Sequence, residues 1–213
     1  GGADGPRGTV RIVAPEGFGT VFAAPCLVRV QAEHPGITVE LVTSTSPLSL
    51  RGSGFDIAVT VGSATSSRLT AEALAPYALR LYASRDYLAA HPPIVSLSDL
   101  ERHPLVFYVD ALLTVRELDL APVLNGMHVG FGSTNVFAQL EATRSGAGIG
   151  LLHAFMAESD PRLAPVLPDE VDFRLMFSLS VRKDSLGVDA VRVVRDALFA
   201  EVRQRADELL PVR

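Results

Sequence analysis

Cysteine is nearly absent from this chain: Cys26 is the one thiol in 213 residues. No intrachain disulfide can form, and thiol-rich metal sites are excluded. The surrounding FAAPCLVRV is apolar, which reads as a packed core position rather than a reactive one. Basic charge is also scarce, with 19 Lys and Arg against 24 Asp and Glu. A duplex-binding module carries a basic footprint, so these residues are not expected to grip DNA directly. No apolar run approaches the ~20 residues that span a bilayer. The opening GGADGPRG lacks the basic and apolar regions of a secretory signal, and the expectation is a cytoplasmic protein with no membrane partner.

Signatures of catalysis are missing too. His34, His91 and His103 each precede a proline, which places them at turns. His128 and His153 have no His, Asp or Glu at a metal-ligand spacing. No G-x-S-x-G elbow occurs. The run SGAGIG alternates its glycines and closes a helix, whereas a dinucleotide loop follows a strand and opens one. Gly146 reads as the left-handed residue that ends the helix, and Gly148 and Gly150 as points of close packing. No catalytic residue, metal or cofactor is expected.

What is present is an alternation of strands and helices. Hydrophobic residues make up 48% of the chain, ample for one domain or two small lobes. TVRIVAP, ITVELVT and FDIAVTVG read as strands, with a helix after the first. That helix lines up Phe22, Cys26, Leu27 and Val30, with Pro25 near its start. A strand over Ala78–Ala83, a capped turn at SLSDLERHP, and strands at LVFYV, MHVGF and DFRLMFSLSVRKD follow. The last helix places Val191, Val194, Leu198, Val202 and Leu209 on one face, with Asp189 at its N-terminus. The pattern is α/β with a largely parallel sheet. In such sheets ligands collect beyond the carboxyl ends of strands, against helix N-termini. PEGFG, TVG and GSTN occupy such places.

From GTVRIVAPEGFGTVFAAPCLVRVQAEHPGITVEL through FDIAVTVG, LYASRDYLAAHP, SLSDLERHPLV and STNVFAQLEATRSGAGIGLLHAFM, the chain resembles the effector-binding domain of LysR-type transcriptional regulators. The likeness runs from Gly8 onward in the family's order and spacing, and the stretch from Ser133 to Leu152 is its most specific part. It implies a two-lobed α/β fold like type 2 periplasmic binding proteins. Each lobe would be a mixed sheet flanked by helices, with two crossover segments and a small-molecule effector in the cleft. Residues 1–7 would be a linker remnant, 8–82 with 181–213 the first lobe, and 83–180 the second. The crossovers would fall near LYAS and FSLSV.

Laid on this sequence, the family's effector contacts become Pro15, Glu16, Gly17 and Phe18, then Thr60, Val61 and Gly62. In the second lobe they become Ser133, Thr134 and Asn135, then Leu152 and His153, with Tyr108 and Asp110 after another strand. Thr134 is the expected ligand contact and His153 is expected at the rim. Phe18, Tyr108, Phe131 and Phe137 are candidate aromatic walls. Glu16 stands where many members carry Ser or Thr. A carboxylate there repels an anion, so either Glu16 points away or the effector is neutral, hydroxylated or cationic.

The resemblance also implies a homodimer or tetramer, built by antiparallel packing of the helices around Pro25–Ala32 and Val136–Arg144. Val28 and Val136 are left open between core and interface. Promoter DNA would be bound only through the family's N-terminal winged helix-turn-helix, which this chain does not contain. A solute-binding protein of the same fold is the alternative, and an enzyme that borrowed the cleft the third reading.

Overall fold

A computed structural model of the chain describes residues 5–43, 54–62, 67–109, 124 and 126–212. Strand β1 (Gly8–Ala14) leads into α1 (Glu16–Phe18), a π-helical stretch over Gly19–Ala23, and α2 (Ala24–Glu33). Strands β2 (Ile37–Thr43), β3 (Ile57–Val61) and β4 (Leu69–Ser84) follow, then α3 (Arg85–Ala90) and a 3₁₀ turn at Leu97–Arg102. Next come β5 (Leu105–Phe107), β6 (Val129–Gly132), α4 (Val136–Arg144), β7 (Ile149–His153) and α5 (Ala154–Ala157). The chain closes with β8 (Leu163–Pro165), β9 (Asp172–Arg182), α6 (Asp189–Gln204) and α7 (Ala206–Leu209).

The chain forms two compact units, Gly1–Ala75 with Met176–Ala206, and Pro76–Leu175 with Asp207–Arg213. Strands β4 and β9 each carry the chain from one unit to the other. The sequence-based limits at 82/83 and 180/181 fall within these same two strands.

Unit 1 has the strand order β2-β1-β3-β9. The first three are parallel, and β9 runs antiparallel to β3 from Ile57↔Val181 to Val61↔Phe177. Val10, Ile12, Ile57, Phe177 and Leu179 are buried, as period-two alternation demands of a sheet with a covered face. Helices α2 and α6 pack on each other, burying Cys26, Leu27 and Val30 against Val191, Val194, Leu198 and Val202. The apolar stripes read at helical spacing are these. Val28 points outward and is exposed.

Unit 2 has the strand order β4-β7-β5-β6, with β8 on β4. β5, β6 and β7 are mutually parallel, while β4 is antiparallel to β7 from Leu79↔His153 to Tyr82↔Gly150. Val136 and Leu140 of α4 are buried, so Val136 belongs to the core. No helix among the described residues is long and apolar enough to cross a membrane.

Two expectations need correction, and one is narrowed. Strand β4 begins at Leu69 rather than Ala78; most of its first residues are exposed. Of the two roles open to Asp189, cap or charge stabilisation, the second holds: the N-cap of α6 is Val188, and Asp189 sits in the first turn, where its charge favours the helix. That last helix is also not continuous, because it breaks at Arg205 (φ −111°, ψ 25°) before α7.

Candidate functional site

At the end of β1, Pro15 is extended (φ −59°, ψ 147°) and turns the chain into α1. The Gly19 N–H donates to Pro15 O at 2.8 Å, but no side chain caps this helix start. Glu16 is half-buried and Gly17 buried. The Phe18 ring is fully buried, 5.7 Å from Phe22 and 5.0 Å from Phe177. It anchors the turn from inside unit 1, so what residue 18 offers at the strand end is backbone, not an aromatic wall.

The parallel register Ile12↔Ile57 and Val13↔Ala58 carries Pro15 to the level of Thr60. Thr60, Val61 and Gly62 are half-buried. Gly62 adopts φ +73°, a left-handed turn that favours glycine, and its N–H donates to Met176 O at 2.9 Å. Thr60 Oγ1 is buried with no hydrogen-bond partner among the described residues, and it stands across the ladder from Ser178. Unit 1 thus brings its seven expected residues to one sheet edge, and Glu16 is the only charge among them.

In unit 2 the parallel ladders Phe107↔Gly132 and Val106↔Gly150 bring Tyr108, Ser133 and the end of β7 to one carboxyl edge. Ser133 N–H donates to Phe107 O at 3.0 Å. Asn135 is the N-cap of α4, its Oδ1 accepting from the Phe137 and Ala138 amides at 2.9 Å each. Ser133 Oγ accepts from Asn135 N–H at 3.1 Å. Thr134, exposed, carries none of these bonds. Phe131 is exposed on β6, Phe137 is half-buried, and Tyr108 is buried edge-on to Phe107. Asp110 lies outside the described residues.

His153 closes β7. It is buried at 7% exposure, its ring parallel to Tyr77 at 5.4 Å and edge-on to Phe155 at 5.1 Å. Burial pushes its pKa down to about 4, so at neutral pH it offers no cation. Leu152 beside it is also buried. The glycine run is a packing device as expected. Gly146 has φ +85°, and a Cβ on Gly148 or Gly150 would stand 2.1 Å from Pro104 O or 2.2 Å from Thr143 Oγ1. Those approaches seat β7 against the residue preceding β5 and against α4.

Sequence reasoning passed over Gln139, which is buried and donates from Nε2 to Ser133 O at 2.8 Å. Its signal was a polar residue on the same helical face as Val136, Leu140 and Thr143. Tyr77, the stacking partner of His153, was hidden in a strand whose start was misplaced. No cluster of three His, Cys, Asp or Glu side chains suited to a metal occurs among the described residues. The arrangement can hold polar groups of a ligand through backbone amides and hydroxyls.

Parallel strands whose carboxyl ends present donors and hydroxyls beside helix starts define a small-ligand-binding class of α/β protein. The family described as LysR substrate binding domain matches residues 3–203, and the chain belongs to it. Its structure resembles the regulatory domain of CrgA, a LysR-type transcriptional regulator from Neisseria meningitidis. That likeness has a TM-score of 0.80 and 25% identity, over 92% of this chain and 99% of that one. The HTH-type transcriptional regulator CrgA of Neisseria meningitidis serogroup C is 27% identical over 172 residues, covering 78% of this chain and 57% of that protein. An uncharacterized HTH-type transcriptional regulator of Haemophilus influenzae is 28% identical over 106 residues, covering 50% of this chain and 37% of that protein. The chain thus spans between 37% and 57% of the length of these two regulators.

Proposed function

We propose that this chain senses a small-molecule effector on behalf of a LysR-type transcriptional regulator, with no catalysis of its own. The family match over residues 3–203, on a fold that gathers hydroxyls and amides at its strand ends, carries this reading. Effector contacts are Pro15, Glu16, Gly17, Phe18 through its backbone, Thr60, Val61 and Gly62 in unit 1. In unit 2 they are Tyr108, Asp110, Ser133, Thr134, Asn135, Leu152 and His153. Promoter binding belongs to a helix-turn-helix segment of the parent protein, in keeping with its relatives' names. The parent works in the cytoplasm as a homodimer or tetramer, and exposed Val28 on α2 fits an interface between copies.

Glu16, alone among charges in its strand-end group, favours a neutral, hydroxylated or cationic effector. Thr60 Oγ1 supports a hydroxyl or amide on that ligand, since it has no partner among the described residues and a buried hydroxyl left so costs about 1–3 kcal/mol. The test is a thermal-shift screen of polyols, amines and small carboxylates, followed by calorimetry on wild type and Glu16→Ser. Saturable shifts with polyols or amines are expected, and carboxylates should bind only after the substitution. Tight carboxylate binding by both proteins removes the charge argument. No shift with any of them removes the sensor reading.

A further inference from the structure

The regular α-helical bonding of the first helix is interrupted directly behind the first strand-end loop. In an α-helix the N–H of residue 25 donates to the carbonyl of residue 21. Pro25 has no N–H, and in a continuous α-helix its ring would clash with that carbonyl. Ahead of it the helix widens to the π form over Gly19–Ala23. The Val21 carbonyl accepts instead from Arg205 Nη1 at 2.8 Å, a residue 184 positions further on. The same guanidinium lies over the Phe22 ring, 4.2 Å from its centroid. It also donates to Glu201 Oε1 at 3.1 Å. Glu201 is 4% exposed, and its second carboxylate oxygen accepts from Arg29 of α2.

Arg205 therefore meets one carbonyl, one aromatic face and one buried carboxylate at once. Phe22, under the guanidinium, stacks in turn on Phe18. A chain of direct contacts thus runs from Arg205 through Phe22 to the anchor of the Glu16–Phe18 turn. We propose that Arg205 is a positioning residue for that loop. It supplies the donor that Pro25 cannot, and so fixes the turn that presents Glu16, Gly17 and Phe18. The planar fork is what the place requires, because a lysine ammonium cannot stack on Phe22 while bonding two oxygens in its plane. Its role in sensing rests on the effector reading above, but the lock itself is testable without an effector.

The test is a double-mutant cycle in the full chain, combining Arg205→Met with Pro25→Ala. The readouts are hydrogen exchange at the Gly19 amide, bonded to Pro15 O, and the Ala24 amide, bonded to Gly19 O. Arg205→Met should speed exchange at both by roughly 10-fold relative to the β5–β7 amides. Pro25→Ala returns a helix donor to Val21 O, so in that background the same substitution should cost under about 3-fold. Should Arg205→Met fail to fold, Arg205→Lys serves in its place, with a smaller rise that again shrinks beside Pro25→Ala. Equal effects in both backgrounds overturn the proposal, as does a uniform rise across unit 1. A failed ligand screen would sink the sensor reading and leave this cycle standing.

Discussion

The two strand-end loops make a similar bend by different means. In unit 2 the turn into α4 is tied by its own side chains, with Asn135 capping, Ser133 bracing and Gln139 reaching back to Ser133 O. In unit 1 the turn into α1 has proline at the cap position and no side-chain cap. It is held from behind, by the Phe18 ring between Phe22 and Phe177. The polar loop spends several bonds worth about 1 kcal/mol each, whereas the apolar one rests on the buried Phe18 ring and the packing behind it. The first loop should therefore fail abruptly and the second by degrees.

Phe18→Ala is the most severe way to break this contrast. The ring is fully buried against two others, and its loss should cost about 3–5 kcal/mol in urea unfolding. A cost below about 1 kcal/mol would show that the ring is not an anchor and return it to the list of ligand walls.

The units should also part company in acid. Four of the five histidines, His91, His103, His128 and His153, lie in unit 2, and His34 alone in unit 1. His153 has a folded pKa of about 4 against an ordinary value of 6.5, so the unfolded chain binds more protons between those limits. Its stabilising contribution is complete above about pH 6.5 and falls by about 3 kcal/mol as pH drops towards 4. His103 is pushed down by burial and then by neighbouring His91, and it acts in the same direction. Hydrogen exchange at pH 7 and pH 5 should show β7 loosening before β1. Urea unfolding of His153→Phe should lose less stability on acidification than wild type. Equal loosening of both units, or equal acid loss in both proteins, would break the assignment.

How much was legible follows the same divide. Ser133-Thr134-Asn135 could be read because capping is local chemistry, decided within four residues of the bend. The glycine run was legible for a related reason. Gly146 answers to its own φ, and the helix-to-strand order by itself excludes a phosphate loop. Phe18, Arg205 and Tyr77 were illegible as to role, since each depends on partners in other elements. His153 shows the limit most plainly. It ends β7, and whether such a strand-end residue faces outward or stacks on Tyr77 is settled by β4, a partner far away in sequence.

The two smallest effects separate folding from binding within the Ser-Thr-Asn turn. Asn135→Ala removes the cap and should cost about 1 kcal/mol, read by urea unfolding. Thr134→Val should change stability by no more than about 0.5 kcal/mol, because the side chain is exposed and carries none of the turn's bonds. For the first compound that raises the melting temperature, the same substitution should weaken binding about 5–10-fold by removing one hydroxyl contact. If Thr134→Val instead destabilises the fold as much as Asn135→Ala while binding stays unchanged, the turn is a helix cap and nothing more. Two residues that adjoin in sequence would then have one job, and the difference between the two loops would lie in their construction alone.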